Sequence, residues 1–137
     1  MNNGQSPITK KQTMTNNQIQ NKKKFDLEER TTEFAKRIIQ LCKTLSKNVI
    51  NNPLIGQIVR SAGSIGANYR EANDALGKKD FIHSLKIARK EAKETLHWLE
   101  IIEEANLELK SRMQNLKKEC RELKNILSAI IDKSRRV

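Results

Sequence analysis

Hydrophobic residues in this chain recur every three or four positions in four successive runs, and no stretch alternates in the manner of a strand. In the first run Phe34, Ile38, Leu41 and Leu45 follow one another at spacings of four, three and four. At about 100° per residue those positions share one helix face. Asp26 followed by Glu29 reads as a capping box, so the first helix is expected from Asp26 to about Asn48. Asn52-Pro53 then opens a second helix, with Asn as the cap and Pro at the first helical position, where its missing amide costs nothing.

The second run contains Arg60-Ser61-Ala62-Gly63-Ser64-Ile65-Gly66-Ala67-Asn68, with two glycines. Each costs about 1 kcal/mol relative to alanine inside a helix, so a loop competes as a reading. Ile55, Val59, Ala62, Gly66 and Tyr69 nevertheless keep helical spacing through the stretch, and no proline interrupts it. Small residues on a buried face let a neighbouring helix approach closely, and a helix is predicted. Gly77 is expected to end it in a left-handed cap.

A third helix is expected from Lys79 or Asp80 to Glu104, with Phe81, Leu85, Ala88, Ala92, Leu96 and Leu99 on one side. Ile87, Trp98 and Ile101 fall outside that stripe. Either another subunit covers this second apolar patch, or the fold buries a wide face there. After a turn at Ala105-Asn106, Leu109, Met113, Leu116, Cys120, Leu123, Leu127 and Ile130 form a heptad seam of about three repeats. Four long helices with short links predict an all-α fold, an up-down-up-down antiparallel four-helix bundle over residues 25–137.

Residues 1–24 have a different character, rich in Asn, Gln, Thr and Lys, with Ile8, Met14 and Ile19 as scattered aliphatics. A disordered basic tail is expected there, since so little apolar surface cannot offset the ordering entropy. Lys10, Lys11, Lys22, Lys23 and Lys24 supply five of the net eleven positive charges, leaving +6 for the remainder. That excess points mildly to a polyanion, although a high pI also serves solubility alone. With aromatics at 4%, a stacking platform for single strands is disfavoured. Cys42 and Cys120 occupy apolar positions and read as reduced, buried thiols rather than a disulfide framework or zinc site. No segment has the apolar core of a secretory signal or the length of a membrane span, so a cytoplasmic protein without membrane contact is expected.

Candidate chemistry is sparse. His83 and His97 each follow a carboxylate by three residues, Asp80 and Glu94, a spacing found in metal-binding bundles. Both lie on one helix, about 21 Å apart at a rise of about 1.5 Å per residue, and cannot share an ion. A helical-bundle ribonuclease of the HEPN type would place a His after four to six residues beyond an Arg; Arg89 and His97 have seven between them. The glycine-rich stretch lacks the order of a phosphate loop. No catalytic residues, cofactor or metal are expected, and the protein reads as a non-enzyme.

Charge placed in stripes remains. Lys86, Arg89, Lys90 and Lys93 fall on one side of the third helix, extended by Lys79, His83 and His97. Lys110, Lys117, Arg121 and Lys124 do the same on the fourth. Such stripes can track a phosphate backbone. Alternatively they are solvated faces held by pairs such as Lys90–Glu94 and Lys118–Glu122. Either stripe alone favours the solvated reading, and both together with the tail favour binding.

The run Ile58-Val-Arg-Ser-Ala-Gly-Ser-Ile-Gly-Ala-Asn-Tyr-Arg-Glu-Ala72, with Lys79-Asp-Phe-Ile-His-Ser-Leu-Lys-Ile-Ala-Arg-Lys-Glu-Ala92, resembles the bacterial four-helix bundle family encoded in 23S rRNA intervening sequences. The likeness covers about residues 25–133 and leaves the basic tail outside it. It implies ring-shaped homopentamers with a basic surface. It also implies kinship with the accessory protein of diversity-generating retroelements, which binds nucleic acid and a reverse transcriptase. No activity is established for such proteins, so no catalytic residue carries over. Under the resemblance Ser61, Ala62, Gly63, Gly66 and Ala67 are packing positions, and Arg60, Asn68, Arg70 and Glu71 are polar contacts between helices or subunits. The expected function is an oligomeric scaffold or accessory protein that binds RNA or DNA by phosphate contacts. The alternative is a protein-interaction module with no nucleic-acid role, whose face around Trp98 meets a different partner.

Overall fold

Each of the four hydrophobic runs forms a helix. The computed structural model describes residues 16–136, with side chains described from Leu27 onward. The elements are α1 (Asn16–Thr44), α2 (Asn51–Asn73), α3 (Lys78–Ala105) and α4 (Lys110–Arg135), with a single 3-10 turn at Leu107–Leu109 leading into α4. Among the described residues there is no strand. Cross-helix contacts fix the directions. On α1 and α2, Glu28 meets Arg70 and Thr31 approaches Gly66. Between α2 and α3, Asn51 meets Asn106 and Ser61 meets Thr95, while Glu103 meets Lys117 and Arg89 meets Ser128 across α3 and α4. In every pair one number rises as the other falls, which gives the antiparallel up-down-up-down order. Arg30 closes α1 onto α4 with two bonds to the Glu119 carboxylate, at 3.1 and 2.7 Å.

The core is where the periodicity places it. Phe34, Ile38 and Leu41 from α1 meet Ile58 and Ile65 from α2, Leu85 and Leu99 from α3, and Leu123 and Leu127 from α4, all fully buried. The α4 seam drifts by one residue at its end, where Ile131 is buried and Ile130 only partly so. A strict seven-residue repeat slips relative to a helix of about 3.6 residues per turn.

Several local expectations need correction. Helix α1 starts at Asn16, so Asp26 lies inside it and cannot cap its first turn. A helix held by a packed face elongates readily through Lys and Gln, which propagate well. Residues 16–24 lie in α1, and the expectation for residues 1–15 falls outside the described residues. The cap of α2 is Asn48 rather than Asn52: its side-chain oxygen accepts the amides of Ile50 (3.0 Å) and Asn51 (2.7 Å), and Pro53 sits in the first turn. Gly77 is extended (φ −149°, ψ 167°) and precedes α3, while α2 ends at Asn73 with a right-handed cap residue, Asp74 (φ −93°, ψ 0°).

The glycine-bearing stretch is helical, but its inner face is narrower than expected. Ser61, Ala62 and Gly66 are buried, whereas Gly63 and Ala67 face outward and Val59 is 39% exposed. Only Gly66 marks a close approach: a Cβ there would lie 2.8 Å from Thr31 Oγ1. Of the four polar positions, Arg60 and Arg70 do join helices, to Glu91 and Glu28, while Asn68 bonds the Ser64 carbonyl of its own helix and Glu71 is exposed. Ile87, Trp98 and Ile101 are each half-buried within the single chain, and the Trp98 indole donates to Glu94 (3.0 Å).

Candidate nucleic-acid interface

The outer face of α3 follows from its buried one. With Leu85, Ala88, Ala92 and Leu99 facing the core, Lys79, His83, Lys86, Lys90, Lys93 and His97 fall on the opposite side, and all six are exposed. Glu94 pairs differently from expectation. Arg60 of α2 and the Trp98 indole engage it, and Lys90 acts on it only at longer range. The indole bond and Arg60 hold the Glu94 carboxyl below the usual carboxylate range, against the effect of burial. Lys90 therefore keeps its charge facing solvent.

The remaining nominated cations divide. Arg89 is half-buried beside α4, its guanidinium 3.4 Å from Ser128 Oγ. Arg121 is exposed and Lys124 half-buried. Lys117 leaves the stripe: its side chain is 13% exposed and its ammonium donates to Glu103 at 2.9 Å. That bond is the main reason the Glu103 carboxyl sits below its ordinary value. A cation neutralised in this way contributes little to a field felt by phosphate.

Antiparallel pairing adds a residue that the stripes did not include. The last turn of α4 lies beside the first turns of α3, so Arg135 joins Lys79, His83 and Lys86 around one shallow concavity of about 570 Å³, with Asp80 and Ile82. The register of α3 against α4 could have brought Arg135 in from sequence, once the pairing of the two helices was assumed. Among the described residues no group of three or more His, Cys, Asp or Glu could hold a metal ion. Both cysteines are buried, and burial pushes the Cys120 thiol up to about 12 while its Sγ donates to the Ala92 carbonyl.

The sequence profile of the 23S rRNA-intervening sequence proteins matches residues 23–129. The chain belongs to that family. A protein of unknown function from the S23 ribosomal protein family of Bacteroides thetaiotaomicron has a similar solved structure, with 36% identity and a TM-score of 0.73. The match covers 80% of this chain and 98% of that one. No curated protein is similar enough to the chain to count as a relative.

In this family member the α3 face changes sign along its length. Beyond Lys93 and His97 the outward positions become Glu100 and Glu104, both exposed. Lys86 and Glu100 are about 21 Å apart along the helix, so the outward face of α3 is cationic toward its start and acidic toward its end. No helix among the described residues is long and apolar enough to cross a membrane.

Proposed function

We propose that this member of the 23S rRNA-intervening sequence protein family is a non-enzymatic, oligomeric scaffold that holds RNA or DNA by its phosphates along the α3–α4 seam. The observation that carries the reading is the concavity lined by Lys79, His83, Lys86 and Arg135. Cations from two helices converge there, and Lys90 and Lys93 extend the same face by two turns. Lys79, Lys86 and Lys93 repeat every seven residues, about 10 Å, a length of B-form helix axis that carries about three phosphates of each strand. Contacts of this kind position a nucleic acid without reading its bases. In a homo-oligomer, pentameric as the family resemblance implies, the face is repeated and binding gains from multivalency.

The test is binding of the full chain to a labelled RNA hairpin and a DNA duplex, comparing wild type with Lys79→Gln/Lys86→Gln/Arg135→Gln. Removing one phosphate-binding cation lowers the log–log salt slope by about 0.9, so the triple variant should show a slope smaller by about 3 and binding weaker by more than tenfold. An unchanged slope would remove the concavity from the interface.

A further inference from the structure

The opposite end of the bundle is built from other material. There the connections before α2 and after α3 are pinned together by two buried carboxamides, Asn51 donating to Asn106 (3.1 Å) and Asn106 to Asn51 (2.9 Å). Asn51 also bonds the Ser46 carbonyl and Asn106 the Ile102 carbonyl. With Asn48 capping the Ile50 and Asn51 amides, this end is an ordered platform rather than a fraying helix terminus. Yet it presents Val49 at 87%, Ile50 at 61% and Leu107 at 60% exposure. Between α2 and α3 a trough of about 490 Å³ is lined by Ile50, Leu54, Ile101 and Ala105 and edged by Glu100 and Glu104.

The geometry points to this trough as the docking site for a cationic amphipathic segment of a partner protein. Its apolar side chains would enter between α2 and α3 while flanking lysines or arginines meet Glu100 and Glu104. The two features select the partner jointly. A chain with net charge +11 carries exposed carboxylates at this place, and these repel nucleic acid and anionic lipid alike. The apolar lining gives a phosphate backbone nothing to bond, whereas an amphipathic helix with anchors three and four residues apart is matched to such a groove. The site is about 21 Å along α3 from Lys86, far enough for both ends to be occupied at once.

The probe is a tryptophan-free synthetic peptide of Leu and Lys in an amphipathic helical pattern, titrated into the full chain beside a Leu/Glu peptide of the same pattern. Trp98, the chain's single tryptophan, is one turn from Ile101 and reports through its emission, with peptide anisotropy as a second readout. The Leu/Lys peptide should saturate with a micromolar Kd and the Leu/Glu peptide should not bind. Glu100→Lys/Glu104→Lys, at exposed positions that leave the core untouched, should weaken binding at least tenfold, as should Ile101→Asp, and Lys86→Gln should not. If Ile101→Asp unfolds, the surface pair alone decides. Equal binding by the charge-reversed protein overturns the site, as does failure of the peptide to bind wild type. Displacement of the peptide by duplex RNA from the Lys79→Gln/Lys86→Gln/Arg135→Gln protein would assign the trough to nucleic acid. Sedimentation showing that wild type excludes the peptide and that Ile101→Asp dissociates it would assign the trough to a second copy of the chain.

Discussion

Two glycines three residues apart on α2 should respond to the same substitution with opposite signs. Gly63→Ala adds a methyl group that meets nothing within 4 Å. It should therefore show only the helix-propensity gain, about 1 kcal/mol, part of which arises from a less flexible unfolded chain. Gly66→Ala has the same gain but places Cβ 2.8 Å from Thr31 Oγ1 and 3.2 Å from Thr31 Cβ. Thr31 is fully buried and its hydroxyl donates to the Glu28 carbonyl at 3.0 Å. It can yield only by losing that bond, worth about 1 kcal/mol, or by pushing α1 from α2, an overpacking cost of about 1–3 kcal/mol. Set against the propensity gain, the net is a loss of up to about 2 kcal/mol. Thr31→Ala in the Gly66→Ala background should recover part of it, since the nearest clash vanishes while Cβ remains. Thermal and urea unfolding followed by circular dichroism measure all three, with Tm rising about 4 °C for Gly63→Ala and falling for Gly66→Ala. A Gly66→Ala protein as stable as Gly63→Ala would refute the close approach of α1 and α2. A destabilised Gly63→Ala protein would mean that something outside this chain packs on that face.

Three further outcomes follow from the same contacts. Asn106→Ala and Asn51→Ala should each cost about 1–3 kcal/mol by stranding a buried carboxamide, and a double-mutant cycle in urea should return a coupling of about 1 kcal/mol; additive losses would contradict the pin. Glu103 and Glu94 have folded pKa values depressed, the first chiefly by Lys117 and the second by Trp98 and Arg60. Their stabilisation is complete above the unfolded carboxylate value of about 4.3 and disappears as pH falls through the folded values. Tm should thus drop on acidification below about pH 4.3, less steeply in Glu103→Gln, and parallel profiles would count against the pair. Cys42 and Cys120, both raised by burial, should resist a thiol reagent in the native protein and react on addition of guanidinium; rapid native labelling would place them at the surface.

The helices and most of the core are legible in the sequence because apolar periodicity is a local signal. Leu85, Ala88, Ala92 and Leu99 need no knowledge of the neighbours they face. Where residues are small on every side that signal loses its phase, and Val59 reads as an inward position although it is exposed; Gly63 and Ala67, packing positions under the family resemblance, are exposed in the single chain. Boundaries fail where several residues could serve the same end. Asn48 and Asn52 are both capable caps, and only the backbone geometry selects Asn48. The exposed α3 stripe is readable from the helix's own period. Its partners are not, because pairing of Lys117 with Glu103, or of Glu94 with Arg60, depends on which helix lies alongside. For the same reason Arg135 enters the candidate site only once α4 is set against α3.

Under the proposed function the α3–α4 seam, rather than the lysines near the chain's beginning, holds the nucleic acid. The direct measurement is the salt dependence of RNA-hairpin binding by the full chain with Lys10, Lys11, Lys22, Lys23 and Lys24 replaced by Gln. Binding should persist and still weaken with salt, with a slope then lowered by about 3 on adding Lys79→Gln, Lys86→Gln and Arg135→Gln. Binding that vanishes with the five early lysines, and is untouched by the three on the α3–α4 seam, would contradict it.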